Sequence, residues 1–201
     1  MRQPEEIDRL GLDKYGLSHL EGANVLALDD ADTDRLLAAL GQDDISLKVP
    51  VPCTPQNVDR ILAYSECRRC GKCCIPNPLN PANLGVEVFE DELKRIAEHL
   101  HQPYDKLEKE TLEGKTVPYP YEIDKLYVTR WLPLPCPFHI EDASACRVHA
   151  VRPVVCQIHP IVFTGDNSYM AIKVNCDYGK DLIKRVFKDL RADNPEMALY
   201  L

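Results

Sequence analysis

The residues of this chain best suited to chemistry are its nine cysteines, eight of which lie between positions 67 and 176. The densest group follows the pattern C-x2-C-x2-C-C and consists of Cys67, Cys70, Cys73 and Cys74. The two-residue spacers let successive thiolates converge on one centre, and Gly71 supplies the backbone freedom that such a tight loop needs. Nearby positive charge, which favours ionised thiols, comes from Arg68, Arg69 and Lys72. The cluster therefore indicates a metal site.

Two kinds of metal centre fit this pattern. A [4Fe–4S] cluster needs four thiolates, commonly three from a C-x2-C-x2-C loop and a remote one followed by proline, as in Cys136-Pro137. Tetrahedral zinc uses the same sulfurs, but usually as two separated C-x2-C pairs. The closely spaced triplet favours an iron–sulfur cluster, with zinc as the alternative. Because Cys73 and Cys74 are adjacent, one of them is expected to face a second site, for which sulfurs are available at Cys146, Cys156 and Cys176.

The later cysteines form a second pattern. They lie in Cys136-Pro137-Phe138, at the isolated Cys146, and in Arg152-Pro153-Val154-Val155-Cys156, a segment that continues to Pro160. Together with the first cluster, this pattern resembles the zinc- or iron-chelating CxxCxxCC family, which includes proteins associated with flagellin lysine methylases. The resemblance covers about residues 67–160 and implies a cysteine-ligated iron or zinc site. The residues implied are Cys67, Cys70, Cys73, Cys74, Cys136, Cys146 and Cys156, and we add Cys176 as an eighth candidate metal ligand.

Other side chains near these cysteines are open to two interpretations. His139, His149 and His159 each lie three residues beyond a cysteine, where the family commonly has aliphatic or aromatic residues. They either bind the metal through an imidazole nitrogen or hydrogen-bond and pack in the fold. Arg152 is a candidate cofactor-binding residue, as a donor to a thiolate or a helix end, or else a salt-bridge residue. Cys53 lies outside the family pattern and is expected to be a core cysteine.

Short helices and strands are expected to position these residues. Helices are predicted over Asp32–Gly41, from Pro55 after the N-cap candidate Thr54, and over Glu87–Leu100, Pro103–Leu112 and Asp177–Leu190. Strands are predicted at Ile45–Val49, Tyr127–Leu132 and Tyr169–Val174, and an irregular loop at Pro76, Pro78 and Pro81. The fold class expected is α+β: a small, cysteine-rich, metal-organised domain with helices packed around cysteine-bearing loops.

Charge is distributed unevenly along the chain. The net charge of the 201 residues is −8; residues 1–60 carry six basic and twelve acidic side chains, and residues 61–201 carry eighteen and twenty. We predict an acidic N-terminal extension over 1–60 and a cysteine-cluster metal-binding domain over 61–201. The acidic balance argues against nucleic-acid binding, and no apolar run is long enough to cross a membrane. The acidic start lacks an apolar export segment, so a cytoplasmic protein with metal-binding thiols is expected.

The function expected is that of a cytoplasmic iron–sulfur protein, which serves in electron transfer or as an accessory to a redox complex and has a protein redox partner. The alternative is a structural zinc module that mediates protein interactions. A protein-modifying methyltransferase is the least favoured reading, because the sequence contains no recognisable cofactor-binding loop. The protein is thus not expected to be an enzyme by itself.

Overall fold

The computed structural model describes residues 11–42, 46–64, 67–78, 85–119, 122–143, 145–163, 169–193 and 195. The helices found in these residues are α1 (Asp30–Gln42), α2 (Pro55–Leu62), α3 (Glu90–His99), α4 (Tyr104–Lys109), α5 (Val154–Ile158) and α6 (Asp177–Asp193). The strands are β1 (Ser46–Pro52), β2 (Gly85–Phe89), β3 (Leu112–Tyr119), β4 (Glu122–Pro133), β5 (His139–Ile140), β6 (Ala145–Cys146), β7 (Ile161–Phe163) and β8 (Tyr169–Lys173). Their pairings are antiparallel, so the fold is α+β, as predicted. Within the described part of the chain, no helix has the length and apolar character needed to span a membrane.

The chain forms two compact units, one from residues 1–64 and 160–201 and the other from residues 65–159. These bounds differ from the predicted division at residue 60, since residues 160–201 group with the N-terminal part of the chain. The predicted domain boundary stays a prediction, because compactness alone does not define an independently folding domain. Seven of the nine cysteines lie in the second unit, and Cys53 and Cys176 lie in the first.

The first unit is built on a sheet of strand order β1-β8-β7. Helix α2 begins where the sequence predicts, because Thr54 Oγ1 accepts a hydrogen bond from Asn57 N (3.3 Å) and Pro55 occupies the first turn. Burial of aliphatic side chains from α1, α6 and β8 stabilises the unit. The most deeply buried of them include Leu36, Leu40, Ile172, Leu182 and Ile183.

The second unit contains the sheet β2-β4-β3 and the small sheet β5-β6. Thr129 ties β4 to β3: its buried Oγ1 donates to Lys115 O (2.8 Å) and accepts from Lys115 N (3.2 Å). The apolar core of this unit combines α3, α4, β2 and β4, and its members include Val88, Leu93, Ile96, Leu107, Leu132 and Phe138. Cys136 and Cys146 pack against this core, so the core positions two of the candidate ligands.

The structure corrects the helix predicted over Glu87–Leu100, whose first three residues lie in β2. The β-branched Val86 and Val88 pair with β4, and the helix begins only at Glu90. The helix predicted over Pro103–Leu112 is shorter, because Leu112 opens β3, which the sequence analysis missed. The remaining helices and strands are confirmed, although β4 begins at Glu122, five residues before the predicted Tyr127. Ile45 and Pro81 lie outside the described residues.

Candidate metal centre

The first cysteine-bearing segment is a loop that turns at Gly71. Gly71 has φ 76°, a left-handed conformation that favours glycine, and a 3-10 turn over Lys72–Cys74 follows it. Cys74 N donates to Gly71 O (2.8 Å), which closes this turn. The turn half-buries the side chains of Cys73 and Cys74, whereas those of Cys67 and Cys70 are exposed.

A second segment follows β4 and joins the first through the backbone. Cys136 N donates to Cys74 O (2.7 Å), and the backbone N–H groups of Phe138 and His139 face the Cys136 sulfur. The chain then enters β5, where His139 is the register partner of Cys146 in β6. A short hairpin therefore brings Cys136, His139 and Cys146 close to the Cys73-Cys74 turn.

The third segment is α5, which carries Cys156, and the buried Glu92 of α3 fixes its start. The Glu92 carboxylate accepts hydrogen bonds from Val154 N at Oε1 (2.7 Å) and from Phe89 N at Oε2 (3.0 Å). It thereby satisfies one backbone donor at the N-terminus of each helix. Burial raises the pKa of Glu92, and these two hydrogen bonds act in the opposite direction. The sequence analysis missed this residue, although the acidic first turn of α3 is visible in the sequence.

Five cysteines from these three segments share one electrostatic environment, and we refer to them as the thiol cluster: Cys73, Cys74, Cys136, Cys146 and Cys156. Burial raises the pKa of Cys156 strongly, and negative charge at Cys73, Cys136 and Cys146 raises it further. Burial also raises the pKa of Cys136. A bare thiolate is therefore unfavourable at Cys136 and at Cys156.

The adjacent pair Cys73 and Cys74 is internally coupled. Their sulfurs are 3.9 Å apart, and the hydrogen bond between them lowers the pKa of Cys73 to about 7. The same hydrogen bond raises the pKa of Cys74, and burial and the charge of Cys73 add to that increase. The hydrogen bond between the two sulfurs therefore couples their ionisation.

The structure places the other predicted site residues elsewhere. Cys176 lies in the apolar core of the first unit, against which Cys53 also packs. For Cys176 the role of metal ligand stays a prediction, and its side chain is buried. Arg152 Nη1 donates to His149 O (2.9 Å) and lies 3.5 Å from His149 Nδ1. Arg152 therefore holds the turn that precedes α5, and its cofactor-binding role also stays a prediction.

Replacing Glu92 with alanine is expected to lower the free energy of unfolding by about 3 kcal/mol, because two buried backbone donors lose their acceptor. Asp91→Ala is the matched control, since Asp91 is in the same helical turn with a side chain 73% exposed. It should change stability by less than about 0.5 kcal/mol. Chemical denaturation measures both; equal effects for the two variants would contradict the structural role of Glu92.

The fold and site together define a cysteine-rich α+β protein whose second unit gathers thiols from separate segments. Residues 66–177 match the family CxxCxxCC, described as a putative zinc- or iron-chelating domain. The match covers more than half of the chain, so the protein belongs to this family of zinc- or iron-chelating domains. Comparisons with curated proteins and with solved structures found no match.

The residues of the second unit fit a zinc or iron ion in their chemistry. The thiol cluster supplies soft sulfur donors, and among the described side chains the buried Nε2 atoms of His139 and His149 have no hydrogen-bond partner. As the side chains stand, no three His, Cys, Asp or Glu residues of the described segments are arranged to hold one ion. Coordination of one ion therefore requires these side chains to rearrange.

Proposed function

We propose that the protein binds zinc through the thiol cluster and that the ion holds the loops of the second unit together. The observation that carries this proposal is the gathering of Cys73, Cys136 and Cys156 from three segments into one partly buried environment. The same environment raises the pKa of Cys136 and Cys156. A bound cation stabilises thiolates and offsets the cost of burying them.

The distribution of the cysteines favours zinc over an iron–sulfur cluster. The closely spaced triplet that suggested a cluster needs Cys67, Cys70 and Cys73 together, but Cys67 and Cys70 are exposed and Cys73 is half-buried. The half-buried sulfurs of the thiol cluster come from three separate segments, which a single tetrahedral ion can join. In this role the metal stabilises a fold, and the function is that of a zinc module for interaction with other proteins.

A [4Fe–4S] protein that serves in electron transfer is the second candidate, favoured by the C-x2-C-x2-C spacing and by Cys136-Pro137. Backbone N–H groups already face the Cys136 sulfur, and Arg69 N donates to Cys67 Sγ (3.4 Å). Such hydrogen bonds tune the potential of a cluster. This candidate requires a protein redox partner and a reducing, cytoplasmic setting.

Anaerobic purification followed by measurement of zinc, iron and acid-labile sulfide separates the two candidates. About one zinc per chain, without visible absorption, is expected for the zinc centre. Iron with stoichiometric sulfide and an absorption that bleaches on reduction would support the iron–sulfur candidate and overturn the zinc proposal. A protein purified without metal that binds neither zinc nor reconstituted iron would contradict both.

Removal of the metal with a chelator is expected to lower the free energy of unfolding of the second unit by about 5 kcal/mol, because binding energy in structural zinc sites is folding energy. Hydrogen exchange should show the loss at Cys136 N and Val154 N, which bond to Cys74 O and Glu92. Amides of α6 in the first unit are the internal control. Unchanged protection of Cys136 N and Val154 N after complete metal removal would contradict a structural role.

A further inference from the structure

We infer that Nε2 of His139 is a ligand of the metal and completes, with thiolates of the thiol cluster, a centre of mixed sulfur and nitrogen donors. The inference rests on the zinc-binding function proposed above and assigns it a residue that the cysteine pattern does not include. It separates His139 from His149 and His159, which the sequence leaves equivalent.

The position of His139 brings its ring to the cysteine loops. His139 is the register partner of Cys146 between β5 and β6, and its backbone N donates to Cys136 O (3.0 Å). The ring lies directly over Gly71, so close that a methyl group at this glycine would collide with Nε2 and Cε1. Gly71 opens the turn that contains Cys73 and Cys74. The imidazole nitrogen therefore lies between the first and second cysteine-bearing segments.

The environment of Nε2 calls for a partner. This atom is buried, and no described residue forms a hydrogen bond with it. A buried polar nitrogen without a partner is unfavourable, and neutral imidazole offers a lone pair that zinc accepts. Three cysteines and one histidine form one of the common tetrahedral sets of structural zinc. A metal bound among the thiols gives the His139 Nε2 atom the partner that it lacks, and no further residue is needed to complete the site.

His149 also has a buried and unpartnered Nε2, but its surroundings repel a cation. Burial lowers its pKa, and the positive charges of Arg152 and Arg69 lower it further. Its Nδ1 lies 3.5 Å from Arg152 Nη1. His159 is the C-cap residue of α5, where its backbone N donates to Val155 O (3.1 Å). His139 therefore combines an unpartnered Nε2 with direct contact with Gly71 of the cysteine loop, whereas His149 faces the positive charges of Arg152 and Arg69.

Cobalt(II) substitution tests the inference by counting the thiolates bound to the ion. His139→Asn should lower zinc affinity by about 100-fold, and its bound cobalt should lose the d–d spectrum of the parent protein. His139→Cys should restore tight binding and raise the thiolate-to-cobalt charge-transfer absorbance by about one third, since a fourth sulfur replaces nitrogen. His149→Asn is the matched control and should retain the parent spectrum and affinity.

The outcomes separate this inference from the proposed function. Parent protein that binds neither zinc nor cobalt would overturn the zinc function itself. If the parent protein and His139→Asn bind metal with the same cobalt spectrum and the same affinity, the ligand assignment is overturned, but the zinc function is not. If His149→Asn loses the parent spectrum and His139→Asn retains it, the nitrogen ligand comes from His149, and the assignment to His139 is overturned. If His139→Asn does not fold, an unaltered charge-transfer intensity in His139→Cys would overturn the assignment.

Discussion

Cys136→Ser is expected to abolish stoichiometric metal binding and to lower the free energy of unfolding, measured in excess zinc, by about 5 kcal/mol, the loss expected on removal of the metal. The sulfur of Cys136 is held in place by the backbone N–H groups of Phe138 and His139, which face it. Its backbone N also donates to Cys74 O, which joins two cysteine-bearing segments. Without this ligand the metal no longer stabilises the fold, so the variant loses what a chelator removes from the parent protein. Metal analysis after gel filtration and denaturation with excess zinc measure the two effects.

Two exposed cysteines provide the matched controls for this substitution. Cys67→Ser and Cys70→Ser change the same chemical group in the same unit, but their side chains are exposed. They should retain about one zinc per chain, with stability changes below about 0.5 kcal/mol. Retention of zinc by Cys136→Ser would contradict the proposed centre. Loss of metal in Cys67→Ser or Cys70→Ser would instead indicate that the C-x2-C-x2-C triplet binds the metal, as the iron–sulfur candidate requires.

The sequence predicted the kind of site better than its geometry. The spacing of the cysteines was sufficient to indicate a metal, and the family match agrees with that reading. The spacing of the cysteines could not show that the turn after Gly71 half-buries Cys73 while Cys70 stays exposed. It also left the three histidines equivalent, because their difference lies in what each nitrogen faces in space. Local spacing carries no information about the contact of His139 with Gly71.

The fold was predictable where local signals are strong. The helix after Thr54 carries its start signal in the sequence, and the observed capping hydrogen bond is the expected one. The pairing of Ser46 in β1 with Lys173 in β8 depends on residues far apart in sequence, so no local pattern could reveal it. The same applies to Glu92, whose acceptance of a hydrogen bond from Val154 N joins residues 62 positions apart. Long-range pairing therefore determines the two compact units that the sequence analysis divided differently.

Alanine at position 71 is expected to lower the free energy of unfolding by about 3 kcal/mol and to weaken zinc binding by at least about 10-fold. Two costs combine: Gly71 has φ 76°, where a Cβ is unfavourable by roughly 1–2 kcal/mol, and the new methyl group collides with the His139 ring. The collision forces either the ring or the Lys72–Cys74 turn to move, and each carries donors of the proposed centre. Denaturation and competition with a zinc chelator measure the two effects.

Gly22→Ala measures the first cost alone, so the difference between Gly71→Ala and Gly22→Ala gives the cost of the collision. Gly22 has φ 71°, close to that of Gly71, but a Cβ added there meets nothing within 4 Å. Gly22→Ala should therefore lower the free energy of unfolding by about 1 kcal/mol and leave zinc affinity unchanged.

The collision is relieved in the double variant Gly71→Ala/His139→Ala, which should recover part of the stability lost by Gly71→Ala but not the metal affinity. Equal losses for Gly71→Ala and Gly22→Ala would contradict the close contact between Gly71 and His139. Recovery of zinc affinity in the double variant would show that the ring only fills space above Gly71, because a side chain that supplies a ligand cannot be removed without loss of affinity.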